Sequence, residues 1–208
     1  MDWHVQLIPM KAFLGLIVLC ALTIPAFATP AQVIILRHGE KPKNHEAQHL
    51  SEAGRERARR LVDFVTSNPE LTKFGPPVAL FATHETKSGH GQRPSETIKP
   101  LAKKLKLPIE TPYQSDHPDQ LASSILASKE FDGKTVLICW THEYIPRLIE
   151  SLGIAHPPEK MPDDVYDRVY LVRYDAAHPS LETLSQEMAS AAVHGKNKVR
   201  PPKKLLKN

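Results

Sequence analysis

The chain has 208 residues, 41% of them apolar and 24% charged. That is enough for one domain with a sizeable core and short for two, and the composition excludes a mostly disordered chain, a collagen-like fibre and a multi-span membrane protein. Two cysteines exclude a disulfide framework, while a formal net charge of +4 and a pI near 9.0 would suggest, at face value, an anionic partner: phosphate, nucleic acid or a membrane surface.

Phe13 to Phe27 is almost continuously apolar, with Lys11 before it and Ala26-Phe27-Ala28 at its end. A positive start, a short apolar stretch and an A-x-A site read as a secretory signal peptide over residues 1–28, cut after Ala28. A membrane anchor is disfavoured, because the run is shorter than the roughly 20 residues of a spanning helix and Pro25 interrupts it. Met10-Lys11 makes a better start than Met1, since Asp2 and His4 fit a positive n-region poorly. The expectation is export to the periplasm or extracellular space, with no stable membrane insertion after cleavage. Cleavage removes Cys20 and leaves Cys139 as a lone thiol in an apolar strand, a core residue rather than a nucleophile.

In the mature chain, Val33-Ile34-Ile35-Leu36 reads as a buried parallel strand. After a polar stretch, Ala58, Leu61, Val62 and Val65 form one apolar helical stripe, with Ser51 as N-cap and Asn68-Pro69 closing the element. Val78 to Ala82 predicts a second strand. Ile98, Leu101, Ala102 and Leu105 predict a helix that starts at Pro94. Leu107-Pro108-Ile109 begins a short strand, and Leu121, Ala122, Ile125 and Leu126 line another helix. Thr135 to Trp140 is a buried strand. Ile145, Leu148, Ile149 and Leu152 give a helix ending at Gly153, and Val169, Leu171 and Arg173 alternate in a last strand. This alternation predicts an α/β three-layer sandwich with a mostly parallel central sheet.

Residues 29–195 form the expected domain. Residues 196–208 carry six basic residues and no acid, and read as a disordered tail. Residues 1–28 contribute only Lys11 and Asp2, so of the 27 basic and 23 acidic residues the domain keeps 20 and 22, a net charge of −2. The basicity belongs to the tail. It has no interleaved aromatics to stack on bases, so no nucleic-acid partner is expected.

In α/β sheets, ligands bind beyond the carboxyl ends of the strands. Arg37-His38-Gly39-Glu40 follows the first strand, a loop from Thr83 to Arg93 follows the second, and Thr141-His142-Glu143 follows Trp140. Two arginines and two histidines thus converge on one sheet edge, a set suited to phosphate. Arginine forks grip its oxygens, the helix after Arg93 offers amide groups, and a histidine nitrogen can attack phosphorus.

At these residues the chain resembles the histidine phosphatase, or phosphoglycerate mutase-like, superfamily. The likeness lies in Leu36-Arg37-His38-Gly39-Glu40, Leu50-Ser51-Glu52-Ala53-Gly54, Arg93-Pro94-Ser95-Glu96-Thr97 with Pro100-Leu101-Ala102, and His142, in that order over Val33 to Gly153. It implies a phosphoglycerate mutase-like fold and a small phosphorylated substrate. It implies that His38 is the phosphorylated nucleophile, with Arg37, Arg93 and His142 completing the phosphate pocket, and it implies no metal or organic cofactor.

Branches of the superfamily take their general acid from different places. Glu143, next to the second histidine, is the favoured carboxyl; Glu40, Glu85 and Asp116 compete with it. Glu40 is also a candidate substrate contact. His84 and His90 flank the Thr83–Gln92 loop, which either shapes the entrance or is solvated, and Lys41 and Lys43 either steer anions or are surface charge. The ten histidines left after cleavage lack a His-Glu-x-x-His pattern, so no metal is expected. The expected activity is hydrolysis of phosphomonoesters. A phosphomutase is the near alternative, and a non-catalytic phosphate-binding envelope protein the distant one.

Overall fold

The computed structural model describes residues 29–43, 48–84 and 91–186. The expected signal segment 1–28, the tail 196–208, Glu85 and His90 lie outside them. The elements in chain order are β1 (Gln32–Arg37), α1 (Glu52–Ser67), α2 (Pro69–Thr72), β2 (Pro77–Ala82), α3 (Gln92–Leu105), β3 (Ile109–Glu110), α4 (Pro118–Ala127), a 3-10 turn at Lys129–Phe131, β4 (Thr135–Trp140), α5 (Ile145–Ser151), β5 (Arg168–Arg173) and β6 (Ser180–Ser185).

One sheet runs β3-β2-β4-β1-β5-β6. The pairs among β1, β2, β3 and β4 are parallel, while β5 runs antiparallel to β1 and to β6. β1 and β4 are buried along their whole length, which is why their sequences are apolar without alternation. Successive residues point to opposite faces, and each face has its own core. Ile34, Leu36, Leu80 and Leu137 pack on Leu61 and Val65 of α1 and Ile98 and Leu101 of α3. Val33, Ile35, Val136 and Ile138 pack on Leu121 and Ile125 of α4 and Leu148 and Ile149 of α5. The result is the expected three-layer α/β sandwich.

Local signals act as the sequence predicts at several points. Ser51 Oγ accepts from the Gly54 amide at 3.1 Å and caps α1, and Gly153 takes φ 97° after α5, a conformation that a side chain resists. Three features differ. α3 starts at Gln92, not Pro94, so Arg93 lies inside its first turn. The strand at Arg168–Arg173 is not the last and does not alternate between core and solvent, since Val169 to Val172 are all buried. β6 follows it at the sheet edge, where Leu181 faces one core and Leu184 the other, leaving no clean period in its sequence.

Candidate active site

Strand register brings the two histidines together. Arg37 lies opposite Trp140, and the ladder continues as the His38 amide donates to the Trp140 carbonyl at 3.2 Å. His38 and His142 therefore emerge side by side, each just beyond its strand. β2 flanks β4, and Thr83 just beyond β2 donates to the Gly91 carbonyl at 3.2 Å, so the first turn of α3 carries Arg93 to the same edge. Its charge opposes protonation of both Arg37 and His38.

His38 is 4% exposed. Its Nδ1 sits 2.7 Å from the Gly39 carbonyl oxygen. Only an N–H can face that oxygen, so the lone pair of the neutral ring is on Nε2. Burial first, then the charges of Arg93, Arg37 and His142, push the His38 pKa down to about 3, against the opposing pull of the Gly39 bond. At neutral pH the ring is an uncharged imidazole with a free electron pair, the form required of a nucleophile.

Arg37 is 1% exposed. Its Nη1 donates to the carbonyls of Pro162 at 2.9 Å and Val165 at 2.8 Å. Nε and Nη2 are buried with no hydrogen-bond partner among the described residues. Those two atoms form one edge of the guanidinium fork, the edge that matches two oxygens of a phosphoryl group. The Tyr166 ring stacks on the guanidinium, 4.0 Å from carbon to centroid, and its centroid is 6.2 Å from that of His38.

His142 Nε2 is 2.8 Å from Asp163 Oδ1, while Nδ1 is buried without a partner among the described residues. Burial lowers the His142 pKa, and Arg37 and Lys160 add to that, with Asp163 opposing. The loop after β1 is braced from both sides. The Gly39 amide donates to Thr97 Oγ1 at 2.8 Å, whose hydroxyl donates to the Arg93 carbonyl at 2.7 Å. A Cβ on Gly39 would lie 3.0 Å from the Gly54 carbonyl oxygen, so the two backbones meet only as glycines.

The carboxylates separate clearly. Both oxygens of Glu40 accept from Arg57 of α1, at 2.6 to 3.0 Å. Burial alone would raise its pKa, but the bonds and charge of Arg57 outweigh that and lower it. Glu40 is thereby committed to α1. Glu143 is exposed in the turn after His142, with no side-chain bond among the described residues. Asp116 is exposed beside His117, on the loop whose Tyr113 and Thr111 carbonyls hold His84. Lys41 acts on Asp163, and Lys43 is exposed. Cys139 is fully buried, and burial pushes its thiol far above the reactive range.

Sequence reasoning missed the segment around Pro162 to Tyr166. Because β5 is antiparallel to β1, its lead-in arrives at the edge where the parallel strands end. No motif marks it; an antiparallel partner for the first strand would have been the only pointer. Among the described residues, no group of three or more His, Cys, Asp or Glu lies close enough together to hold a metal.

No protein-family model and no curated protein matches the sequence. Solved structures do match. SixA of Agrobacterium tumefaciens, provisionally named a phosphohistidine phosphatase, gives a TM-score of 0.51 at 17% identity, over 75% of this chain and 98% of that one. A substituted phosphoserine phosphatase from Entamoeba histolytica, solved with phosphoserine, gives 0.52 at 14% identity, again over 75% and 98%. The chain shares the phosphoglycerate mutase-like fold of these structures.

Proposed function

We propose that the chain is an exported phosphatase that hydrolyses small phosphomonoesters through a phosphohistidine at His38. The observation that carries this reading is the setting of His38: buried, with Nδ1 2.7 Å from the Gly39 carbonyl oxygen, so that Nε2 is the nitrogen left to attack, beside an Arg37 whose Nε and Nη2 have no hydrogen-bond partner among the described residues. Both solved structures of this fold named above are designated phosphatases, which supports the class. Export rests on the apolar run and A-x-A site of residues 1–28.

In the first half-reaction, Nε2 forms a bond to phosphorus as the bond from phosphorus to the ester oxygen breaks. Arg37, Arg93 and His142 stabilise the charge on the equatorial oxygens. We assign the proton for the leaving oxygen to Glu143, which is next to His142 and has no side-chain bond among the described residues, whereas Glu40 is held by Arg57. In the second half-reaction the Glu143 carboxylate takes a proton from water, the water oxygen attacks phosphorus, and Nε2 leaves with its electron pair.

The test is turnover of a chromogenic aryl phosphate and an alkyl phosphate by the mature protein, with and without chelator. His38→Ala should abolish release of inorganic phosphate from both. Glu143→Gln should slow the alkyl ester, whose leaving oxygen needs a proton, by about 10² or more, and the aryl ester far less. Activity surviving in His38→Ala, or lost only to chelator, sinks the assignment of the nucleophile. Phosphoryl transfer to a second hydroxyl without release of phosphate would make the protein a mutase.

A further inference from the structure

The second histidine is the pocket residue whose chemistry the reading above leaves open. One of its ring nitrogens is occupied by Asp163 at 2.8 Å, and the other is buried without a partner among the described residues. We infer that Asp163 is a positioning residue for His142: it anchors Nε2–H so that Nδ1 faces the phosphoryl group, and it supplies the counter-charge for an imidazolium that donates from Nδ1. This rests on the phosphatase reading of the same site.

Asp163 accepts only if Nε2 carries a hydrogen. A neutral His142 would then turn the lone pair of Nδ1 toward a phosphoryl oxygen, which repels it. A cationic ring carries hydrogen on both nitrogens and binds carboxylate and phosphate together. Charge from most sides opposes that cation: Arg37 and His38 at the end of β1, and Lys160 on the segment before β5. Glu143 follows His142 on its own turn. Asp163 is the carboxylate bonded to the ring, and its own charge is favoured by His142, Lys160 and Lys41. Its side chain is 70% exposed, so it adds no core packing. Pro162, just before it, and Val165, two residues after it, hold Arg37 through their carbonyls. A single strap thus orients both groups that grip the anion.

The experiment compares wild type, Asp163→Asn and Asp163→Glu in two readouts. The first is the pH profile of kcat/KM. Asparagine keeps the acceptor oxygen but loses the charge, so the alkaline limb should move down by about one pH unit or more, with glutamate restoring much of it. The second is the protonation of the His142 ring, followed by nuclear magnetic resonance with inorganic phosphate as the probe; it requires no turnover. In wild type the ring should hold its second proton to higher pH when phosphate binds, and in Asp163→Asn to lower pH than wild type. An unmoved limb together with an unmoved His142 titration overturns the inference. An Asp163-dependent titration in a protein that hydrolyses no ester would keep the inference and sink the phosphatase reading.

Discussion

At the scale of single residues, the chemistry follows from what burial does to His38. Its folded pKa of about 3 lies below the ordinary value of 6.5. Between those values the unfolded chain binds a proton that the folded protein refuses. Stability from this group is therefore complete above the upper value and declines as pH falls through the window, by at most about 1.4 kcal/mol per pH unit. His38→Gln should unfold at a urea midpoint that depends less on pH than that of wild type between neutral and mildly acidic buffer. Equal pH dependence in the two proteins would show that His38 titrates normally. The same neutrality means that His38 protonation does not set the acid limb of activity. Arg37, His38 and His142 could be read in the sequence because each abuts an apolar strand run. Asp163 could not, because it meets His142 only through the pairing of β5 with β1.

At the scale of elements, the site depends on how closely the loop after β1 lies on α1. A Cβ on Gly54 would come within 2.5 Å of the Glu40 carbonyl oxygen and 2.9 Å of its amide nitrogen. Backbone cannot give way as a side-chain tip can. Alanine is the better helix former by roughly 1 kcal/mol, yet here the clash should dominate. Gly54→Ala should lose about 1–3 kcal/mol of stability and, by shifting His38, more than tenfold in kcat/KM, read by denaturant melts and steady-state kinetics. A stabilised, fully active variant would show that the contact is loose. The parallel elements were legible from apolar runs and helical stripes. The start of α3 was not, because Gly91, with φ 98°, opens the helix without a side-chain cap. Nor was β6, an edge strand with one leucine turned to each core.

At the scale of the whole molecule, charge and architecture separate. Residues 196–208 carry six basic residues and no acid, and residues 29–195 are net −2. Under the proposed function, attraction for an anion is a local property of the sheet edge, where Arg37, Arg93, His38 and His142 converge above two independent cores. The order of motifs along the chain implies that convergence, since each follows the end of a strand. The antiparallel closure that completes it, with Tyr166 over Arg37 and the carbonyls of Pro162 and Val165 accepting from its Nη1, belongs to tertiary register and leaves no trace in local pattern. The proposed covalent intermediate forms on one named residue and can be trapped. Mature protein mixed with an aryl phosphate, quenched at alkaline pH within the first turnover and analysed by peptide mass spectrometry, should carry a phosphoryl group on His38 and none in His38→Ala. A phosphoryl group on any other residue, or turnover with no phosphorylated His38 at any quench time, would contradict the account.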